Sequence, residues 1–131
     1  MAEGRFPSGF GAAVRRFNAG EFFEAHEAFE ELLDAVENDT RWELLVALIQ
    51  VAVGYHKLGA GHPGADRMLR LGSDKLAVFP AVAWGVAVER LRRRVAEDLS
   101  RLEAGGAVDL ERAGAAPRIE LVKDGAAGEV G

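Results

Sequence analysis

Asn18–Leu33 reads NAGEFFEAHEAFEELL and combines a helix start, an apolar stripe and a polar cluster that contains a histidine. Projected at the helical period, this stretch and the residues after it form one apolar face, made of Phe22, Ala25, His26, Phe29, Leu32, Leu33 and Val36. The pattern predicts a helix over residues 21–36 that packs on a core. His26 lies on the packed face, and Glu30 lies one turn later at its border.

The pair formed by His26 and Glu30 has two interpretations. A buried imidazole beside a carboxylate costs free energy unless both groups are satisfied, so we expect His26 to be mostly buried and Glu30 to lie within hydrogen-bonding reach. In a functional site the two groups would act as orienter and base or as metal ligands. In a structural network they would join Gln50 of the next helix and fix the helix register. The residues alone leave both interpretations open.

Four more helical patterns surround this one. The apolar spacing predicts a short helix from Phe10 to Phe17, a third helix over residues 41–58, a fourth from Pro63 to residue 78, and a fifth over residues 80–103 whose stripe includes Trp84. The third pattern is apolar on nearly every side, which places that helix at the centre of the fold. We therefore expect an all-α, single-domain helical bundle of about five helices over residues 1–104.

The composition changes after Gly105-Gly106, where glycine and alanine dominate and the apolar periodicity is lost. Residues 105–131 are therefore expected to form a mostly irregular tail that the fold does not need. The exception is the segment 117–122, PRIELV, because its alternating pattern would let an extended chain dock on the bundle.

Length and composition exclude several classes of protein. A chain of 131 residues is long enough for one domain, and the absence of cysteine excludes disulfides, thiolate nucleophiles and cysteine-containing zinc sites. The net charge of -5 argues against binding to nucleic acid or to an anionic membrane. No apolar run approaches the roughly 20 residues that span a bilayer, and no signal pattern opens the chain, so we expect a cytoplasmic protein. Homo-oligomerisation and the identity of any small-molecule substrate stay open.

Three short motifs in the central part of the chain share a known pattern. They are Asn18-x-Gly20-x-Phe22-Phe23-Glu24-Ala25-His26-Glu27-x-x-Glu30, then Leu48-Ile49-Gln50 with His56, then Gly61-x-x-Gly64-Ala65. Over about residues 17–70 the chain resembles the DUF309 family of small helical proteins from prokaryotes. Members fold as helical bundles and are often labelled metal-dependent hydrolases, so the resemblance implies both the fold and that activity.

The resemblance also implies a set of site residues. Carried over position by position, His26, Glu30 and His56 would be the ligands of a divalent metal ion. Glu27 and Glu30 would be the catalytic carboxylates, and Gln50 would be a further polar group of the site. The metal would be the only cofactor that the resemblance implies.

This chain departs from the family pattern at several positions. Leu33 stands where the family usually has tryptophan, Val46-Ala47 replaces a Gln-Gly pair, and His62 replaces an asparagine. The missing glutamine removes one polar group from the implied site. Whether the protein is an enzyme therefore stays open, and the alternative is a noncatalytic helical module for self-association or partner binding.

A third possibility is an anion-binding protein. Arg90, Arg94 and Arg101 line one flank of the fifth predicted helix. The same pattern is typical of a solvated helix face with ordinary ion pairs between successive turns.

Overall fold

The computed structural model describes residues 5–122 and contains five α-helices in this part of the chain. They are Phe10–Asn18 (α1), Phe22–Glu30 (α2), Thr40–Ala60 (α3), Ala65–Leu76 (α4) and Val88–Glu103 (α5), with a short 3-10 helix, Asp34–Val36, between α2 and α3. Extended pairing in residues 5–122 is confined to two isolated bridges. The predicted all-α bundle is confirmed. Among these residues, no helix has the length and apolarity needed to cross a bilayer.

Helix α3 occupies the centre of the bundle, between α2 and α4. Leu44, Leu48 and Tyr55 are fully buried on it, and α4 packs against it at two glycines. A Cβ atom added to Gly54 would lie 2.6 Å from the Leu69 side chain, and one added to Gly72 would lie 2.6 Å from Val51. These glycines allow α3 and α4 to approach closely along the core.

Helix α2 ends at Glu30, six residues before the predicted end at Val36. The chain continues in tighter turns, in which the amide of Leu33 donates to the carbonyl of Glu30 at 3.2 Å. The last turn of α2 contains no basic residue, and Glu30 and Glu31 add negative charge to a helix end that already carries a negative partial charge. The sequence-based boundary was therefore wrong, although Leu32 and Val36 still reach the core.

Helix α5 begins at Val88 rather than at residue 80, so Trp84 does not belong to its stripe. Trp84 and Gly85 adopt positive φ angles of 47° and 80°, as in a type I′ turn. The flanking residues Ala83 and Val86 exchange two backbone hydrogen bonds of 3.0 and 2.8 Å across this turn. Helix α4 also begins later than predicted, because Gly64 adopts a left-handed conformation and Pro63 precedes the helix.

The segment after α5 runs without helix to residue 122 and returns to the bundle. The side-chain amide of Asn18 donates to the carbonyl of Ile119 at 3.0 Å, and the Ile119 amide donates back to Asn18 Oδ1 at 2.7 Å. The amide of Ala87 donates to the carbonyl of Glu120 at 2.9 Å. Ile119 is 1% exposed and belongs to the main core. These contacts lie in segment 117–122, the part of the tail whose alternating pattern allowed docking, and the dispensability of the tail for folding stays a prediction.

Candidate functional site

His26 lies in the middle of α2 and is mostly buried, as expected, with 16% of its side chain exposed. Its Nδ1 atom lies 2.5 Å from the carbonyl oxygen of Phe23. A carbonyl oxygen can only accept, so Nδ1 carries a proton and Nε2 presents its lone pair when the ring is neutral. Nε2 lies 3.8 Å from Oε1 of Glu30, which is 53% exposed. The prediction of a hydrogen bond between His26 and Glu30 is therefore wrong, because this distance allows only a loose ion pair.

The other residues implied by the family resemblance do not form one cluster with His26 in the described part of the chain. The Phe23 ring contacts both His26 and His56, with ring centroids 4.8 and 5.1 Å apart. The ring centroids of His62 and His56 lie 6.0 Å apart. Glu27 is exposed on α2. Among the residues that the structure describes, no three histidine, aspartate or glutamate side chains are grouped so that they could hold a metal ion.

A groove of about 380 Å³ lies next to Phe23 and His56. Phe23, Glu24 and His56 line it, together with Leu110 from the loop after α5, whereas His26 and Glu30 do not. The groove and the His26–Glu30 pair are therefore adjacent features and do not form one enclosed site.

Gln50 does not join His26 and Glu30. Its Oε1 atom is buried and has no hydrogen-bond partner within residues 5–122. The expected three-membered network is therefore not formed. A buried acceptor without a donor costs about 1–3 kcal/mol, so Gln50 does not act as the structural anchor that the sequence suggested.

A different buried polar network connects α3 with α5. The Tyr55 hydroxyl donates to Asp98 Oδ2 at 2.5 Å, and Nε of Arg94 donates to the same oxygen at 2.8 Å. Asp98 is only 3% exposed, and Nη2 of Arg94 donates to the carbonyl of Ala115 at 2.5 Å. Burial and the neighbouring Asp98 carboxylate raise the pKa of the Tyr55 hydroxyl. A carboxylate on the apolar stripe of α5 was the signal in the sequence that could have revealed this network.

An exposed apolar groove lies between the start of α3 and the end of α4. This Trp42 groove has a volume of about 430 Å³ and is lined by Trp42, Glu43, Val46, Asp74, Lys75, Val78 and Phe79. Trp42 is 40% exposed and Val78 is 75% exposed. A second cavity shares Trp42 and Glu43 and adds Glu37 and Asp39, so acidic side chains continue along the rim.

The charged side chains around the Trp42 groove are mostly acidic. Asp39 is neutralised by Arg41 at 2.6 Å, and this hydrogen-bonded partner lowers the pKa of the Asp39 carboxyl. Glu37, Glu43 and Asp74 form no ion pair within the described chain, although Asp74 interacts electrostatically with Arg70. Lys75 is the one basic side chain among the described residues that line the groove.

Comparison with known proteins gives a match to one family model over part of the chain. The family model described as a domain of unknown function, DUF309, matches residues 10–69, which run from the start of α1 into α4 and include both His26 and His56. No curated protein matches the chain. The resemblance drawn from the motifs is confirmed, and α5 with the segment after it lies outside the match.

Proposed function

We propose that this chain, which is similar to the DUF309 family over residues 10–69, is a noncatalytic helical module that binds a basic, apolar segment of a partner protein in the Trp42 groove. The supporting observation is that exposed Trp42 and Val78 line one groove with the carboxylates of Glu43 and Asp74. Exposed apolar surface that is rimmed by polar residues is typical of interaction sites.

The apolar part of the groove supplies binding free energy. A tryptophan side chain can bury roughly 250 Å², and 40% of Trp42 is exposed. Covering that part at about 25 cal/mol per Å² contributes on the order of 2 kcal/mol. Val78 adds a second exposed apolar side chain next to it. Tryptophan in such a position is often the residue on which affinity depends most strongly.

The charges around the groove select the partner. Glu37, Glu43 and Asp74 leave a negative rim, so lysine or arginine beside an apolar anchor would complement it. Two copies of this chain joined through the same patch would bring acidic rims together, and each copy carries a net charge of -5. The charge pattern therefore favours a basic partner segment over a second copy.

A binding experiment with matched peptides tests this proposal. The probe is a fluorescein-labelled amphipathic helix built from leucine and lysine, and its counterpart has glutamate in place of lysine. Fluorescence anisotropy should show binding of the lysine peptide and no binding of the glutamate peptide. Trp42→Ala should weaken binding about 30-fold, which corresponds to about 2 kcal/mol.

Leu71→Ala is the matched control, because Leu71 is similarly exposed at 39% and does not line the groove. Equal loss of binding in both variants, or none in Trp42→Ala, would contradict the proposal. A concentration-dependent dimer that Trp42→Ala abolishes would assign the groove to a second copy instead. Light scattering on the wild-type protein and on the variant detects that outcome.

The metal-dependent hydrolase is the second candidate, and one feature of His26 supports it, because its Nε2 atom is not engaged by the backbone contact of Nδ1 with Phe23. Nε2 of His26 lies 3.8 Å from Oε1 of Glu30. His26, Glu30 and His56 would be the three metal ligands, and Glu27 would be a catalytic carboxylate. Catalytic zinc sites take three protein ligands and one open position. The described residues do not bring three such groups together, so this arrangement does not fit a metal centre.

A further inference from the structure

A cavity of about 350 Å³ lies between α5 and the loop that follows it. Arg94 and Arg101 line it from the helix, and Arg112 lines it from the loop. Three arginines from two separate segments therefore line one cavity. Its volume falls within the range of roughly 300–1,000 Å³ that is usual for small-molecule sites.

Arg94 is held in place by the buried network. Nε donates to Asp98 and Nη2 donates to the carbonyl of Ala115, while 27% of the side chain remains exposed. Tyr55 and Arg94 both donate to Asp98, so the charge of this carboxylate is already compensated. The guanidinium is thus fixed at the cavity with one of its nitrogens, Nη1, unused in these contacts.

The loop carries its own carboxylate, and that carboxylate is also compensated. Asp109 Oδ1 accepts the backbone amides of Glu111 and Arg112 at 2.9 and 3.1 Å, and these bonds lower the pKa of the Asp109 carboxyl. Nε of Arg112 lies 3.5 Å from Asp109 Oδ2. The remaining donors of the Arg112 guanidinium are not used by Asp109.

Arg101 is the third arginine that lines the cavity. Its guanidinium forms no hydrogen bond or ion pair within residues 5–122. Glu97 lies one turn earlier on α5 and also lines the cavity, yet the two side chains form no ion pair. The three arginines are balanced in formal charge by Glu97, Asp98 and Asp109 among the described residues that line the cavity. What the cavity offers is therefore unused N–H donors, since each guanidinium carries five donors and the ion pairs use only some of them.

We propose that this cavity binds the phosphate group of a small phosphate monoester through Arg94, Arg101 and Arg112. A phosphate monoester offers three terminal acceptor oxygens, which suits three guanidinium groups better than the two oxygens of a carboxylate do. Arginine pairs with phosphate in a bidentate geometry. The site does not depend on the Trp42 groove. The site differs from the arginine ridge predicted from the sequence, because it includes Arg112 and does not include Arg90. Arg90 pairs with Glu120 instead.

Isothermal titration at constant ionic strength tests this site with glycerol 3-phosphate as the probe. Glycerol is the uncharged counterpart, and glycerate is the carboxylate counterpart. The wild-type protein should bind glycerol 3-phosphate more tightly than glycerate and should not bind glycerol. No binding of glycerol 3-phosphate at millimolar concentration would overturn the proposal, and tighter binding of glycerate would overturn the assignment to phosphate.

Three variants on α5 locate the site. Arg101→Gln should weaken binding about tenfold, equivalent to about 1.4 kcal/mol. Arg90→Gln should leave it unchanged, because Arg90 is 72% exposed on the same helix and does not line the cavity. Glu97→Gln should strengthen binding several-fold, because it removes the competing carboxylate. Equal effects of Arg101→Gln and Arg90→Gln would show a general charge effect and would refute the site. All three side chains are exposed, so circular dichroism should show an intact fold in each variant.

Discussion

Removing the carboxylate of Asp98 should be one of the most destabilising single changes in this protein. Asp98 is 3% exposed and accepts hydrogen bonds from Tyr55 at 2.5 Å and from Arg94 at 2.8 Å. Asp98→Ala leaves the fully buried Tyr55 hydroxyl without its acceptor and leaves Arg94 without its counter-ion. Breaking a buried pair in this way costs about 3–5 kcal/mol. Arg94 is 27% exposed and can turn toward water, so we expect the lower end, about 3 kcal/mol.

Urea denaturation followed by circular dichroism measures this loss. Tyr55→Phe removes one hydrogen bond to a charged acceptor and should cost about 1.5–3 kcal/mol. The double variant should cost less than the sum of the two single changes, because both act on the same bond. Glu97→Ala is the control, since Glu97 is the exposed neighbour of Asp98 and should change the free energy of unfolding by less than about 0.5 kcal/mol. A loss below about 1 kcal/mol in Asp98→Ala would refute the network as a stabilising element.

Three further predictions concern the tail, pH and His26. Truncation after Glu103 removes buried Ile119 and should clearly lower the thermal unfolding midpoint. Ile119→Ala in the full chain should lower the free energy of unfolding by about 2–5 kcal/mol. An unchanged midpoint for both proteins would contradict the docking of this segment. The raised pKa of Tyr55 means that the unfolded chain ionises at its ordinary value of 10.0 while the folded chain stays protonated. The free energy of unfolding should therefore keep the Tyr55 contribution below pH 10.0 and decrease as the pH rises above it. When unfolding is measured as a function of pH, this decrease should be shallower in Tyr55→Phe. His26→Ala should cost no more than about 1 kcal/mol, because Glu30 is exposed and only loosely paired with it; a loss of 3 kcal/mol or more in urea denaturation would show that His26 is part of a tight structural network.

The sequence predicted the central part of the fold well, because apolar periodicity is a local signal. Helix α3 is apolar on nearly every side and proved to be the centre. Errors arose where other forces decide the backbone. Acidic side chains at the end of α2 shortened that helix. The turn at Trp84 requires a positive φ that tryptophan rarely adopts, and it lies beside backbone bonds to residues 119–122, which are distant in sequence.

The candidate sites were harder to predict from the sequence than the helices. His26 and Glu30 lie on neighbouring turns as expected, yet the distance between them depends on rotamers that periodicity does not determine. Tyr55 and Asp98 are 43 residues apart, so their hydrogen bond required the tertiary packing of α3 on α5. Likewise, Arg112 joins Arg94 and Arg101 only because the loop after α5 folds back over that helix.

The metal content of the protein separates the binding module from the hydrolase most directly. Elemental analysis should be made on untagged protein that was purified without chelators, together with His26→Ala and with Glu31→Gln as a control on the exposed side of the same segment. The account predicts divalent metal far below one equivalent in all three proteins. One equivalent in the wild type and in Glu31→Gln that disappears in His26→Ala would contradict it.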